Sequence, residues 1–205
     1  VKAAIIVWDQ QEKYLDRKHV IEAAWNWINM TIPVISSTFA SFSRMCKNLG
    51  AETLGHLFID EAGQALPQAA VGAIYRSRHV MVVGDPLQIK PVLTLDSNTL
   101  YMLGEHFGVT EKYLSASASA QILADAASQY GFYRKQDKAE DSWVGIPLWV
   151  HRRCRYPMFT ISNMISYDGF MVQGMEKYGK TDWFDVGGTA NNKYVEEQGE
   201  FLLHK

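Results

Sequence analysis

Two segments in the middle of the chain predict strands: Leu54–Ile59, which is mostly apolar, and Val80–Val83, which is wholly apolar. Ala65–Arg78 between them predicts a helix, because Pro67 stands near its start, where a missing N–H costs little. An alternation of strand, helix and strand is typical of an α/β fold with a parallel sheet and helices on its faces. Ligands of such folds bind beyond the carboxyl ends of the strands.

The flanking regions have weaker patterns, which mix helical spacing with short strand-like runs. A polar stretch at residues 135–141 is expected to be a solvated linker. In chain order we expect a helix that ends before Pro33, a strand start at Val34 and Ile35, a helix at Ser115–Gln129, a strand at Ile146–Val150 and a helix at Pro157–Ile165.

Composition narrows the class of protein without naming a partner. The 205 residues are 47% apolar, and 20 basic against 22 acidic residues give a net charge of -2. A chain of this kind folds around a real core, and its bulk charge does not indicate nucleic acid. Two cysteines, with no secretory signal and no apolar run near the ~20 residues of a membrane helix, predict a cytoplasmic protein without a membrane partner.

The first candidate chemistry is a pair of adjacent carboxylates, Asp60 and Glu61, directly after the first apolar run. Such a pair suits phosphoryl transfer to water, because one carboxylate can hold Mg²⁺ while the next polarises the attacking water. The alternative is that the pair caps the following helix, whose N-terminal dipole favours acidic residues. This segment alone leaves both interpretations open.

The second candidate segment is Gly84 and Asp85, with Gln88 shortly after, at the end of the next predicted strand. Glycine permits a close backbone approach, and a glutamine amide can sense a γ-phosphate by hydrogen bonding. The alternative for Gly-Asp-Pro is an ordinary tight turn. Because both segments end at one edge of a parallel sheet, we expect them to form one site.

Residues 60–64 (Asp-Glu-Ala-Gly-Gln) and 84–88 (Gly-Asp-Pro-Leu-Gln) together resemble motifs II and III of superfamily 1 DNA/RNA helicases, particularly the Upf1-like/Dna2-like branch. The resemblance implies a RecA-like parallel sheet with flanking helices, of the P-loop NTPase type. It also implies ATP and Mg²⁺ as cofactors. The residues that it assigns are Asp60 to Mg²⁺, Glu61 to the attacking water, Gln88 to the γ-phosphate, and Gly84 and Asp85 to the same nucleotide-binding set.

Residues 147–159 resemble motif IV of that branch, where Gln-Tyr-Arg-Met-His-Pro is usual, and Arg153 matches the motif arginine. In the family this arginine belongs to the second RecA-like domain and reaches the γ-phosphate, which suits its fork-shaped, permanently charged group. Arg152 and Arg155 stay open as alternatives, since Arg152 replaces the aromatic residue and Tyr156 occupies the proline position. A basic patch that contacts a nucleic-acid backbone is the other interpretation.

A hydroxyl-rich segment before the first motif resembles the part of these helicases that helps to contact the nucleic-acid strand. Thr38 and Ser41 offer hydroxyl groups to phosphate oxygens, and Phe39 or Phe42 offers a ring to a base. Core packing is the alternative for the two phenylalanines, because their three-residue spacing is common at the start of a helix.

No Gly-x-x-x-x-Gly-Lys-Ser/Thr loop, the Walker A element that cradles phosphates, stands before residues 60–64, where these helicases carry it. Residues 174–181 (Gly-Met-Glu-Lys-Tyr-Gly-Lys-Thr) match the pattern, but they follow the motif IV segment. We therefore expect an internal fragment, with residues 1–142 from the first RecA-like domain, residues 143–205 beginning the second, and flanking segments of the same polypeptide as partners. The parent enzyme would couple ATP hydrolysis to translocation on, or unwinding of, DNA or RNA, while the fragment alone would be inactive. A helicase-like docking module without turnover and a metal-dependent phosphohydrolase are the alternatives.

Overall fold

The computed structural model describes residues 1–85, 87–93, 95–110, 113–114, 118–134, 142–175 and 178–205. The chain divides into two compact units, Val1–Pro147 and Leu148–Lys205, and each is described by itself. Three parts of the sequence predictions fall outside the described residues: the polar stretch 135–141, Pro86 of the second motif, and the first three residues of the helix expected at Ser115–Gln129.

The fold is mixed α/β. The α-helices of the described residues are α1 (Lys2–Asp9), α2 (Lys18–Thr31), α3 (Phe39–Met45), α4 (Pro67–Tyr75), α5 (Ser97–Phe107), α6 (Ala120–Ala127), α7 (Met158–Ser166) and α8 (Glu196–Leu203). The strands are β1 (Leu54–Ile59), β2 (Ser77–Val82), β3 (Phe132–Arg134), β4 (Ser142–Val144), β5 (Val150–His151), β6 (Val172–Gln173), β7 (Ala190–Asn191) and β8 (Tyr194–Val195). Within the described residues these strands form two-stranded pairs, β1–β2 and β5–β6 parallel, β3–β4 and β7–β8 antiparallel.

The β1–α4–β2 unit confirms the strand, helix and strand predicted for the middle of the chain. Strand β1 has the predicted bounds, and its Ile59 lies opposite Val82 in the parallel register. Helix α4 is shorter than predicted at both ends, since it begins at Pro67 rather than Ala65 and Ser77 and Arg78 already belong to β2, which ends at Val82 rather than Val83. The hydroxyl of Ser77 donates to the carbonyl oxygen of Ala73 at 2.9 Å and so closes the end of the helix.

One face of the β1–β2 pair is covered by α4 and α6. The buried cluster on this face consists mainly of alanines, together with Ile59, and partly buried Phe39, Leu57, Ile74 and Val82 pack against it. Alanine brings helices close to a sheet because it adds little volume, and the amide of Ala120 donates to the carbonyl oxygen of Ala65 at 2.9 Å. The opposite face remains open, with Phe58 69% and Met81 56% exposed.

The N-terminal helices pack around a second cluster, formed by Ile21, Trp25, Cys46 and Leu49. Helix α2 ends at Thr31, before Pro33 as predicted. The strand start expected at Val34 and Ile35 is wrong, because residues 33–38 run without regular structure into α3.

In the second unit, β5 and β6 flank α7. Of the strand expected at Ile146–Val150 only Val150 belongs to a strand, and the observed strand continues to His151 instead. The buried side chain of Asn163 in α7 holds the following loop, because its amide group donates to the carbonyl oxygen of Met171 at 2.9 Å and accepts from its N–H at 3.0 Å. None of the helices described in either unit is long and apolar enough to cross a membrane.

Candidate hydrolysis site

The loops that leave β1 and β2 lie against each other at the carboxyl edge of the pair. The N–H of Val83 donates to the carbonyl oxygen of Ile59 at 2.8 Å, and the N–H of Ala62 donates back to that of Val83 at 3.0 Å. The ladder therefore continues beyond the strands. It brings exposed Asp60 and Glu61 next to the segment that begins at Gly84, as the sequence predicts.

Gly63 and Gly84 lie where the two loops touch. A Cβ atom on Gly84 would come within 2.5 Å of the backbone nitrogen of Gly63, and one on Gly63 would come within 2.8 Å of the carbonyl carbon of Asp85. No side chain fits at either position unless the backbone moves. The close approach that the sequence analysis expected of Gly84 is thus an approach to the neighbouring loop.

Glu61 has a left-handed backbone, with φ 52° and ψ 37°, which is uncommon for a residue that carries a side chain. Two hydrogen bonds hold it: its N–H donates to Asp60 Oδ1 at 2.9 Å, and its Oε2 accepts from Gln64 Nε2 at 3.3 Å. The contact makes Gln64 part of the site. Gln64 was not among the predicted site residues, although it stands in the same five-residue motif as Asp60 and Glu61.

The helix-capping alternative for the carboxylate pair does not agree with the geometry. Helix α4 begins at Pro67, its N-cap residue is Leu66, and no side chain caps it. Glu61 precedes only a 3₁₀ turn, Ala62–Gln64, and makes no capping hydrogen bond to it. Both carboxylates are therefore exposed to solvent at the strand end, and they do not accept hydrogen bonds from the first backbone N–H groups of α4.

Asp85 organises the second loop. Its Oδ1 accepts from the N–H of Leu87 at 2.9 Å, and its Oδ2 accepts from Gln88 Nε2 at 2.9 Å. An aspartate that binds the backbone two residues later is a common turn-forming device. The tight-turn interpretation thus applies to Asp85, and this turn holds the exposed side chain of Gln88 beside it.

Asp60 and Glu61 are the exposed carboxylates at this edge that could hold a metal ion. No group of three or more His, Cys, Asp or Glu side chains in the described part of the chain is placed to hold a metal. Mg²⁺ usually keeps several waters and binds one or two carboxylates together with substrate phosphates. Asp60 meets that need, because it is exposed and only its Oδ1 accepts from Glu61.

Thr38 and Ser41 belong to the start of α3. Thr38 is its N-cap, and Thr38 Oγ1 accepts from the N–H of Ser41 at 3.3 Å. Phe39 packs against the alanine-rich cluster and Phe42 against the N-terminal cluster, in agreement with the core-packing alternative. Both hydroxyl-bearing residues are exposed, with the Thr38 side chain engaged in the cap.

Arg153 lies in the second unit, in a turn that follows β5. His151 Nε2 accepts from the N–H of Cys154 at 2.8 Å and closes this turn. Arg152 and Arg153 are its central residues, and both are exposed, as is Arg155 before the cis Tyr156–Pro157 bond. The turn presents these guanidinium groups to solvent directly before α7.

No family model matches the chain, and the comparisons with curated proteins and with solved structures give no match either.

Proposed function

We propose that the chain is the central part of an ATP-dependent superfamily 1 helicase, and that the carboxyl edge of β1–β2 is its hydrolysis half-site on a RecA-like domain. One observation carries the proposal: Asp60 and Glu61 meet the Gly84–Gln88 loop at this edge, and two glycines in backbone contact fix the two loops together. The complete enzyme would use ATP hydrolysis to move along, or separate, strands of DNA or RNA.

Each residue of the half-site has a distinct task in this proposal. Bound Mg²⁺ would offset negative charge on the β- and γ-phosphates of ATP. Asp60 would hold the ion through water, and Glu61 would orient the attacking water and accept its proton. Gln88 would donate the second hydrogen of its amide group to the γ-phosphate, and Asp85 would keep Gln88 in place through the contact at Oδ2.

The resemblance further assigns Arg153 to the charge that develops on the transferred phosphoryl group, a task that suits an arginine. Arg152 and Arg155 stay candidates for the same task, because all three side chains are exposed. For the nucleic-acid strand, Thr38 and Ser41 are the proposed donors, because both are exposed and the Thr38 hydroxyl only accepts in the cap of α3, which leaves its O–H free to donate.

The test is ATP hydrolysis by the full-length polypeptide that contains this chain. We expect Glu61→Gln to lower kcat by roughly 10²- to 10⁴-fold, because the general base is lost, while the Kd for ATP changes little. Glu52→Gln is the matched control, since Glu52 is an exposed glutamate at the other end of β1. Equal turnover by the wild type and Glu61→Gln would sink the proposed mechanism.

The same assay separates turnover from docking. A docking module would bind nucleic acid or protein with no ATPase activity in the full-length polypeptide, so Glu61→Gln would change nothing. The isolated 205-residue chain is expected to show no hydrolysis above its own Glu61→Gln variant, because its sequence holds no phosphate-binding loop before β1, where the resemblance requires one.

A further inference from the structure

The open face of the β1–β2 pair carries two histidines in register. His56 lies directly opposite His79 in the parallel ladder. Their ring centroids are 5.0 Å apart, and the ring planes differ by 28°. The ring of Phe58 lies nearly parallel to that of His56, at 6.5 Å, and both histidines are exposed.

The backbone ladder, rather than a chance choice of rotamers, keeps the two imidazoles adjacent. Neighbouring strands lie about 4.8 Å apart, and paired residues extend their side chains from the same face. Imidazole nitrogen bonds to Zn²⁺ at about 2.0–2.1 Å, so two nitrogens that share one ion lie roughly 3–4 Å apart. Both side chains are exposed, so rotation about their torsions can turn one nitrogen of each ring toward a shared ion across the 5.0 Å between the ring centroids.

We propose that His56 and His79 bind one late first-row transition-metal ion, of the class Ni²⁺, Cu²⁺ and Zn²⁺, with water completing the coordination. Imidazole is a preferred ligand of these ions. The residues paired nearest on this face, Phe58 opposite Met81, supply no carboxylate, so the site disfavours Mg²⁺ and Ca²⁺, which need oxygen ligands. The site is separate from the hydrolysis half-site and does not depend on it.

An ion shared between β1 and β2 would also join the two strands. A ligand that binds only the folded chain raises its stability by mass action. We therefore expect the midpoint of thermal unfolding to rise on addition of Ni²⁺. This rise is expected to disappear in the variant that lacks both histidines.

The direct test is calorimetric titration of the untagged chain with Ni²⁺. We expect one equivalent to bind, and His56→Gln or His79→Gln to weaken binding by about tenfold or more, because one of two imidazole ligands is lost. His19→Gln and His106→Gln are the controls, since each removes an exposed imidazole outside the β1–β2 pair. No binding by the wild type, or equal binding by all four variants, would overturn the proposal.

A second measurement needs no variant and so does not depend on the folding of one. Substoichiometric Cu²⁺ broadens the NMR signals of the imidazoles that ligate it. We expect the signals of His56 and His79 to broaden first among the six histidines of the sequence. Even broadening of all six signals, or broadening that begins at any other histidine, would mean adventitious binding and would overturn the proposal.

Discussion

Glu61, the proposed general base, has an unfavourable backbone conformation. A left-handed conformation costs a residue with a side chain about 1–2 kcal/mol relative to glycine. It persists here because Asp60 and Gln64 hydrogen-bond to Glu61 and the neighbouring loop holds Ala62. Backbone strain of this kind is common at functional sites, where contacts with the surrounding structure hold the residue in the strained conformation.

We predict that Glu61→Gly is more stable than Glu61→Ala by about 1 kcal/mol, because only glycine adopts the left-handed backbone without cost. Both variants lose the hydrogen bond from Gln64, so the comparison isolates the backbone term. Urea denaturation of the isolated chain measures the difference. If Glu61→Ala were the more stable of the two, Glu61 would not be strained.

The two cysteines are predicted to differ in reactivity. Burial raises the pKa of the Cys46 thiol to about 11, although the Arg76 guanidinium lowers it in part. The thiolate is the nucleophile, so Cys46 stays unreactive until the pH approaches that value, whereas half-buried Cys154 is accessible to reagent. With Cys154→Ser leaving Cys46 as the one thiol, iodoacetamide at about pH 8 is expected to label the denatured chain but not the native chain.

Labelling of native Cys154→Ser at the rate of the denatured protein would contradict this assignment.

At the scale of elements, β1 and β2 depend on each other through the loops at their carboxyl ends. We predict that Gly63→Ala destabilises the chain by about 1–3 kcal/mol, because the added methyl group would overlap the backbone of Asp85. Gly55→Ala in β1 is the control, since nothing lies within 4 Å of a Cβ atom there. Equal urea midpoints for the two variants would show that the loops are not in contact.

The element boundaries show what the sequence could and could not predict. Leu54–Ile59 was predictable because four of its six residues are apolar and polar residues bound it. Ser77–His79 was not, because its three residues are polar and carry no apolar signal, and it is the pairing with β1 that makes them a strand. The strand start predicted at Val34 and Ile35 was wrong for the opposite reason. β-branched residues favour strands, but without a partner strand these two do not form a strand.

At the scale of the whole molecule, the candidate site was predictable where it follows from topology. Parallel strands end at one edge, so the convergence of Asp60 and Glu61 with Gly84 required only the strand order. The left-handed backbone of Glu61 and its contact with Gln64 were not predictable, because both depend on how the second loop packs against the first.

The contact between Gly63 and Gly84 has a consequence for protein engineering. Each loop fills the space that a side chain on the other would need, so neither can be exchanged alone for a loop of ordinary composition. A transfer of this edge to another α/β scaffold would have to move residues 59–64 and 82–88 as a pair, with the strand register of Ile59 and Val82 preserved. The smallest part of this edge that could be transplanted is therefore a pair of segments that lie apart in the sequence and pack against each other in the fold.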